Sequence, residues 1–116
     1  MTRIKTQAAR KGAAAMTAHA DTASRLLKSI ANAQRLRILC LLAGGERSVG
    51  ALNELLDLSQ SALSQHLARL RDEGLVTTRR EAQTIHYRLA EGPARRIIKT
   101  LYGIYCATPT RSGTSR

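Results

Sequence analysis

Seven polar side chains crowd one short stretch of the chain, Leu58 to Leu75: Ser59, Gln60, Ser61, Ser64, Gln65, His66 and Arg69. Each can donate or accept hydrogen bonds and none is acidic, so together they suit contact with the base edges and phosphates of duplex DNA. The stretch reads as one helix. Leu63, Leu67 and Leu70 recur at four- and three-residue steps and form an apolar stripe. The opposite face offers Gln60, Ser61, Ser64, Gln65 and Arg69. Ser59 is a natural N-cap, and Gly74 supplies the left-handed residue that ends a helix. Fourteen residues of helix give about 21 Å, enough to lie in a major groove roughly 12 Å wide. His66 either meets a base or braces the fold or a phosphate. An ordinary amphipathic surface helix shows the same pattern, so the surroundings must decide.

The other candidate chemistry belongs to two thiols and three imidazoles. Cys40 and Cys106 stand 66 positions apart, a spacing equally at home with two buried, inert small side chains. His19, His66 and His86 do not cluster with either Cys at ligand spacing, so no metal site and no cofactor is expected. The absence of a Cys-x-x-Cys motif argues against a thiol enzyme such as a peroxidase or disulfide reductase, and the chain is read as a non-enzyme.

Charge narrows the partner. Nineteen Lys and Arg against eight Asp and Glu leave a formal net charge of +11 over 116 residues. Residues 1–20 carry Arg3, Lys5, Arg10 and Lys11 with no acid, and the last nine residues add Arg111 and Arg116. A basic domain with basic tails fits a polyanion. With no Trp or Phe and only three Tyr, stacking on single strands or RNA has no platform, which leaves duplex DNA. No basic helix with large aromatics suggests a membrane surface, and no apolar run approaches the roughly 18 residues of a span. Ala13-Ala14-Ala15-Met16 is too short for a signal peptide core of about 7–15 residues. The expected location is cytoplasmic and nucleoid-associated, with Met16 a second candidate start.

These side chains need a scaffold. Residues 1–16 are small, basic and without an apolar period, and are expected to be a disordered tail. A helix follows from about Thr17 to Ile30. A second, from about Ala33 to Ala43, is apolar nearly all round and should be the buried centre. Ser48 caps a short helix, Val49 to Leu56, with Leu52, Leu55 and Leu56 inward. The polar-faced helix comes next, so the two form a helix-turn-helix. Residues 75–80 and 84–89 read as a hairpin with Ile85, Tyr87 and Leu89 inward, a wing on which Arg79, Arg80 and Arg88 present charge to DNA. Pro93 opens a last helix to about Cys106, with more apolar surface than one small domain covers. The first and last helices together make an expected dimer seam. Residues 108–116 are a second disordered tail.

The order is α-α-α-α-β-β-α, mainly α with a small β-hairpin. At this point the chain resembles the ArsR/SmtB family of bacterial winged-helix repressors over residues 17–107. The resemblance rests on Asn32-Ala33-Gln34-Arg35-Leu36-Arg37-Ile38-Leu39, Ser48-Val49-Gly50-Ala51-Leu52, Leu58-Ser59-Gln60-Ser61-Ala62-Leu63-Ser64-Gln65-His66-Leu67 and Leu70-Arg71-Asp72-Glu73-Gly74-Leu75-Val76. Within the family it is most similar to the haemolysin-regulator and biofilm-repressor (HlyU/BigR) branch, through Ile38-Leu39-Cys40, Arg80-Glu81-Ala82-Gln83-Thr84 and Leu101-Tyr102-Gly103-Ile104-Tyr105-Cys106. The resemblance implies a homodimer on an imperfect inverted repeat of double-stranded DNA, acting as repressor or anti-silencer. It also implies that Cys40 and Cys106 form a dithiol, which a small oxidant or persulfide converts to a disulfide or polysulfide bridge. Cys106, near a chain end and within reach of Arg111, would attack, and Cys40, in an apolar helix with a raised pKa, would resolve. The metal ligands common in the family have no counterpart, since the start of the third helix lacks thiols and the last helix lacks His. The alternatives are a constitutive winged-helix regulator with structural cysteines and a metal-responsive repressor.

Overall fold

The computed structural model describes residues 2–106. Its elements, in chain order, are α1 (Thr2–Ile30), α2 (Ala33–Ala43), β1 (Arg47–Ser48), α3 (Val49–Leu55), α4 (Gln60–Asp72), β2 (Val76–Glu81), β3 (Thr84–Leu89) and α5 (Pro93–Tyr105). They divide into two compact units, Met1–Ala31 and the chain from Asn32 onward.

The first unit corrects the expectation of a disordered segment over residues 1–16. There α1 is one continuous helix of 29 residues, beginning at Thr2 rather than Thr17. An apolar period reports which face is buried, not whether the backbone is helical. Ala8, Ala9 and Ala13 to Ala15, interleaved with Lys, Arg, Gln and Met, have high intrinsic helix propensity without any such period. Met16, midway along, is 61% exposed. The tail expected over residues 108–116 lies outside the described residues.

The second unit is built on α2. Asn32 caps it, its side chain accepting from the Arg35 backbone N–H at 3.0 Å. Ile38, Leu39 and Leu42 of α2 are buried. The helix packs against both α5 and β3. Ser48 and Ser59 cap α3 and α4 in the same way, accepting from Ala51 at 3.0 Å and Ala62 at 3.1 Å. Of the three residues expected to face inward on α3, Leu52 and Leu56 do, but Leu55 is 56% exposed. Seven residues are barely two turns, so only the stripe shared by Leu52 and Leu56 can be covered.

The C-terminus of α4 closes as a Schellman motif. Gly74 adopts φ +77°, the Leu75 N–H donates to the Leu70 carbonyl at 2.9 Å, and the Gly74 N–H donates to Arg71 at 3.0 Å. Both apolar ends of that motif, Leu70 and Leu75, are buried. This turns the chain directly into β2. The expected hairpin is present, with Thr78 opposite Tyr87 and Arg80 opposite Ile85, and it turns at Ala82, φ 55°.

One element escaped the sequence reading. Arg47 and Ser48 form β1, which pairs with Tyr87 and His86 of β3 and gives an antiparallel sheet in the order β1-β3-β2. A two-residue strand is too short to carry an alternation. The architecture is a winged helix-turn-helix, mostly helical with a three-stranded sheet.

Leu63, Leu67 and Leu70 are essentially inaccessible to solvent, so α4 is held by its apolar stripe alone. Leu67→Ala is expected to destabilise the protein by about 2–5 kcal/mol, read as a shift of the urea-unfolding midpoint at fixed protein concentration.

Candidate nucleic-acid interface and cysteine cleft

With the leucine stripe turned inward, α4 leaves Gln60, Ser61, Ser64, Gln65 and Arg69 exposed, with His66 half-buried at the edge of the stripe. These residues share one helix. Ser59 is exposed too, but its hydroxyl is engaged in capping the helix. Arg69 lies 3.6 Å from Glu73 one turn on, an exposed pair that holds the side chain only weakly. Beside the start of α4, Gln60, Asn53, Gln83 and Thr84, together with Val49 and Ile85, line a shallow recess of about 670 Å³ between α3 and the wing tip. None of Asn53, Gln83 and Thr84 was singled out from sequence as a contact residue; Gln83 and Thr84 stand in the wing segment Arg80-Glu81-Ala82-Gln83-Thr84, and Asn53 lies on α3.

The wing arginines divide into different environments. Arg79 sits on the outward face of β2, opposite His86. Its guanidinium grips Glu46 with two hydrogen bonds, at 2.7 and 3.1 Å, and lies 3.5 Å from Glu81. Glu81 also lies 3.3 Å from His86 Nε2. The hydrogen bond from Arg79 holds the Glu46 carboxyl below its ordinary pKa, and the same bond raises that of Arg79. Glu46 is 33 positions away in sequence, which is why no local pattern showed it. Arg88, on the same face, donates to Thr77 Oγ1 at 3.3 Å. Arg80 is exposed and, among the described residues, has no acidic partner. The wing thus offers two arginines without an acidic partner among the described residues, Arg80 and Arg88, and one largely neutralised, Arg79.

The two cysteines meet. Cys40, half-buried on α2, and Cys106, exposed at the C-cap of α5, are brought together by the packing of α2 on α5. Burial pushes the Cys40 thiol up, and the charge and hydrogen bonding of Cys106 push it further the same way. The direction agrees with expectation, but the contribution of the second thiol was not foreseen. Arg111 lies outside the described residues. Both sulfurs open onto a cleft of about 520 Å³ walled by leucine and tyrosine side chains. Arg47, which sequence reasoning passed over, lines it as well. Among the described residues no group of three or more His, Cys, Asp or Glu is placed to hold a metal ion, and no helix is long and apolar enough to cross a membrane.

Comparison with known proteins agrees with this geometry. Residues 32–78 match the family model described as bacterial regulatory protein, arsR family. The chain is 56% identical over 81 residues to the transcriptional activator HlyU of Vibrio cholerae, covering 70% of this chain and 75% of that one. It is 52% identical over 93 residues to the biofilm growth-associated repressor of Agrobacterium fabrum, covering 80% of each. The crystal structure of the transcriptional regulator HlyU from Vibrio vulnificus superposes with a TM-score of 0.76 at 52% identity, over 82% of this chain and 99% of that one.

Two outcomes follow from the interface. Glu46 has a depressed carboxyl pKa in the folded state, so its contribution to stability is present at neutral pH and is lost as pH falls through that lowered value. Glu46→Gln should therefore flatten the acid side of the melting-temperature profile. For DNA, Gln60→Ala should reduce discrimination between operator and random duplex, whereas Arg80→Ala should weaken both alike and lower the salt slope by about one. Anisotropy titrations at several salt concentrations check this, and equal losses on both duplexes from Gln60→Ala would remove it from base readout.

Proposed function

This chain belongs to the arsR family of bacterial regulatory proteins and is a DNA-binding transcriptional regulator; we propose that the oxidation state of its Cys40–Cys106 pair sets its affinity for DNA. The observation that carries the proposal is that Cys40 of α2 and Cys106 at the end of α5 line one cleft where the two helices pack. One thiol is accessible and the other is sheltered, the arrangement an attacking and a resolving cysteine require.

In the first step the Cys106 thiolate attacks the sulfur or oxygen of a small oxidant. With a persulfide R–S–SH it takes the outer sulfur and releases R–S⁻, leaving Cys106 as a persulfide. Cys40, giving up its proton, then attacks the inner sulfur, the S–S bond to Cys106 forms, and hydrosulfide departs. The high proton affinity of Cys40 suits it to this second role, since it stays a neutral thiol until its partner has been activated. The bridge ties the end of α5 to α2, and α2 also packs on β3 of the wing. A covalent change at the cleft thereby biases the elements that carry the DNA face.

Gln60, Ser61, Ser64 and Gln65 read base edges in the major groove, with Ser59, His66 and Arg69 placed to contact the flanking backbone. Arg80 and Arg88 hold phosphates from the wing, while Arg79 mainly fixes the shape of the wing through Glu46. The DNA is an imperfect inverted repeat, read by a homodimer joined through α1 and α5. In support, Ile104 and Tyr105 at the end of α5 are 64% and 80% exposed, an apolar surface a second copy would cover. Binding to such a site gives a repressor or an anti-silencer.

Operator-fragment anisotropy with reduced and persulfide-treated protein, with intact mass on both samples, is the test. The expected result is a Cys40–Cys106 bridge and an affinity reduced at least tenfold, about 1.4 kcal/mol, with Cys40→Ser unresponsive. A bridge that leaves affinity unchanged would make the cysteines bystanders.

A further inference from the structure

The cleft is much larger than a small oxidant needs. At about 520 Å³ it has the size of a small-molecule site of roughly 300–1,000 Å³, whereas a molecule of peroxide occupies little more than a water, about 30 Å³. Its walls come from Leu36, Leu41, Leu55, Leu101 and Tyr105, which favour an apolar body.

The cleft also holds a cation without an acid. Arg47 pairs across the sheet with Tyr87, on the face opposite to Arg79 and His86. Its Nε donates to the Leu41 carbonyl at the end of α2, at 3.1 Å. The adjacent acid, Glu46, is taken by Arg79, and among the described residues Arg47 has no acidic partner. Tyr102 brings a hydroxyl to the same corner. A Cβ on Gly44 would lie 3.4 Å from Tyr102 Oη, 3.4 Å from the Leu41 carbonyl and 3.6 Å from Arg47 Nη2. Glycine there leaves the corner clear for two donors.

We infer that the cleft binds an apolar carboxylate that carries a hydroperoxide, of the fatty-acid hydroperoxide class, with its carboxylate on Arg47 and Tyr102 and its peroxide at Cys106. The inference rests on the thiol-switch reading above and names the class of oxidant that reaches the switch. The Cys106 thiolate attacks the terminal peroxide oxygen, the O–O bond breaks, and the alkoxide takes a proton from water and leaves as an alcohol. Cys106 is then a sulfenic acid. Cys40 loses its proton and attacks that sulfur, the S–S bond forms as the S–O bond breaks, and the departing hydroxide takes the proton and leaves as water. The dithiol gives up two electrons and the peroxide accepts them.

The experiment measures the rate of Cys40–Cys106 bridging by quenched-flow intact mass on the full chain. The probes are linoleate hydroperoxide below its micellar concentration, tert-butyl hydroperoxide and hydrogen peroxide. Linoleate hydroperoxide is expected to react faster than the other two by about tenfold or more. Arg47→Gln should remove that advantage, read as the ratio of the linoleate hydroperoxide rate to the hydrogen peroxide rate within the same variant, and Arg47→Lys should restore most of it. Leu55→Gln, at the exposed rim, should lower the same ratio of rates and does not depend on the Arg47 variants folding. Equal rates for the three probes in the unmodified protein, or a preference that survives Arg47→Gln, overturns the inference and leaves the switch standing. No bridge with any peroxide or with a persulfide donor overturns the thiol-switch reading itself.

Discussion

Burial of one helix, α2, organises the domain. Ile38, Leu39 and Leu42 are withdrawn from solvent, and at about 25 cal/mol for each Å² of apolar surface they contribute several kcal/mol to folding. Because α2 contacts both α5 and β3, the same packing that stabilises the fold also joins the cysteine cleft to the sheet that ends in the wing. A close-packed interior transmits displacement rather than absorbing it, which is the physical basis of the coupling proposed between them.

The α4 helix uses the complementary arrangement. Its leucines are wholly inside and its glutamines and serines wholly outside, so the polar face is presented by a rigid element whose orientation is set by apolar contacts alone. None of its outward residues need be spent on holding it in place, apart from the cap at Ser59. The wing is held differently, by charge. The Glu46–Arg79 pair is exposed, so its energetic contribution is small, but it specifies geometry. It ties the segment before β1 to the middle of β2 and leaves Arg80 and Arg88 as the wing cations without an acid among the described residues.

Much of this was legible in the residues. The leucine spacing in α4, Ser48 and Ser59 as caps, Gly74 as the left-handed stop and the alternation of β3 all express local rules, and the structure follows them. Two of the departures have local explanations too. Residues 2–16 are helical because alanine favours helix without any burial pattern, and β1 is two residues long and leaves no pattern.

What the sequence by itself determined is therefore the helices of the winged domain, the hairpin, their order and the chemical character of the α4 and β3 faces, because helix periodicity, capping and turn chemistry act over a few residues. Tertiary structure alone decided which distant groups meet. Cys40 reaches Cys106, Arg79 turns to Glu46 instead of to solvent, and Arg47 enters the cleft on the opposite face of the sheet from its own neighbour. Each of these meetings depends on how helices and strands pack across dozens of residues of chain, and no local spacing encodes that distance.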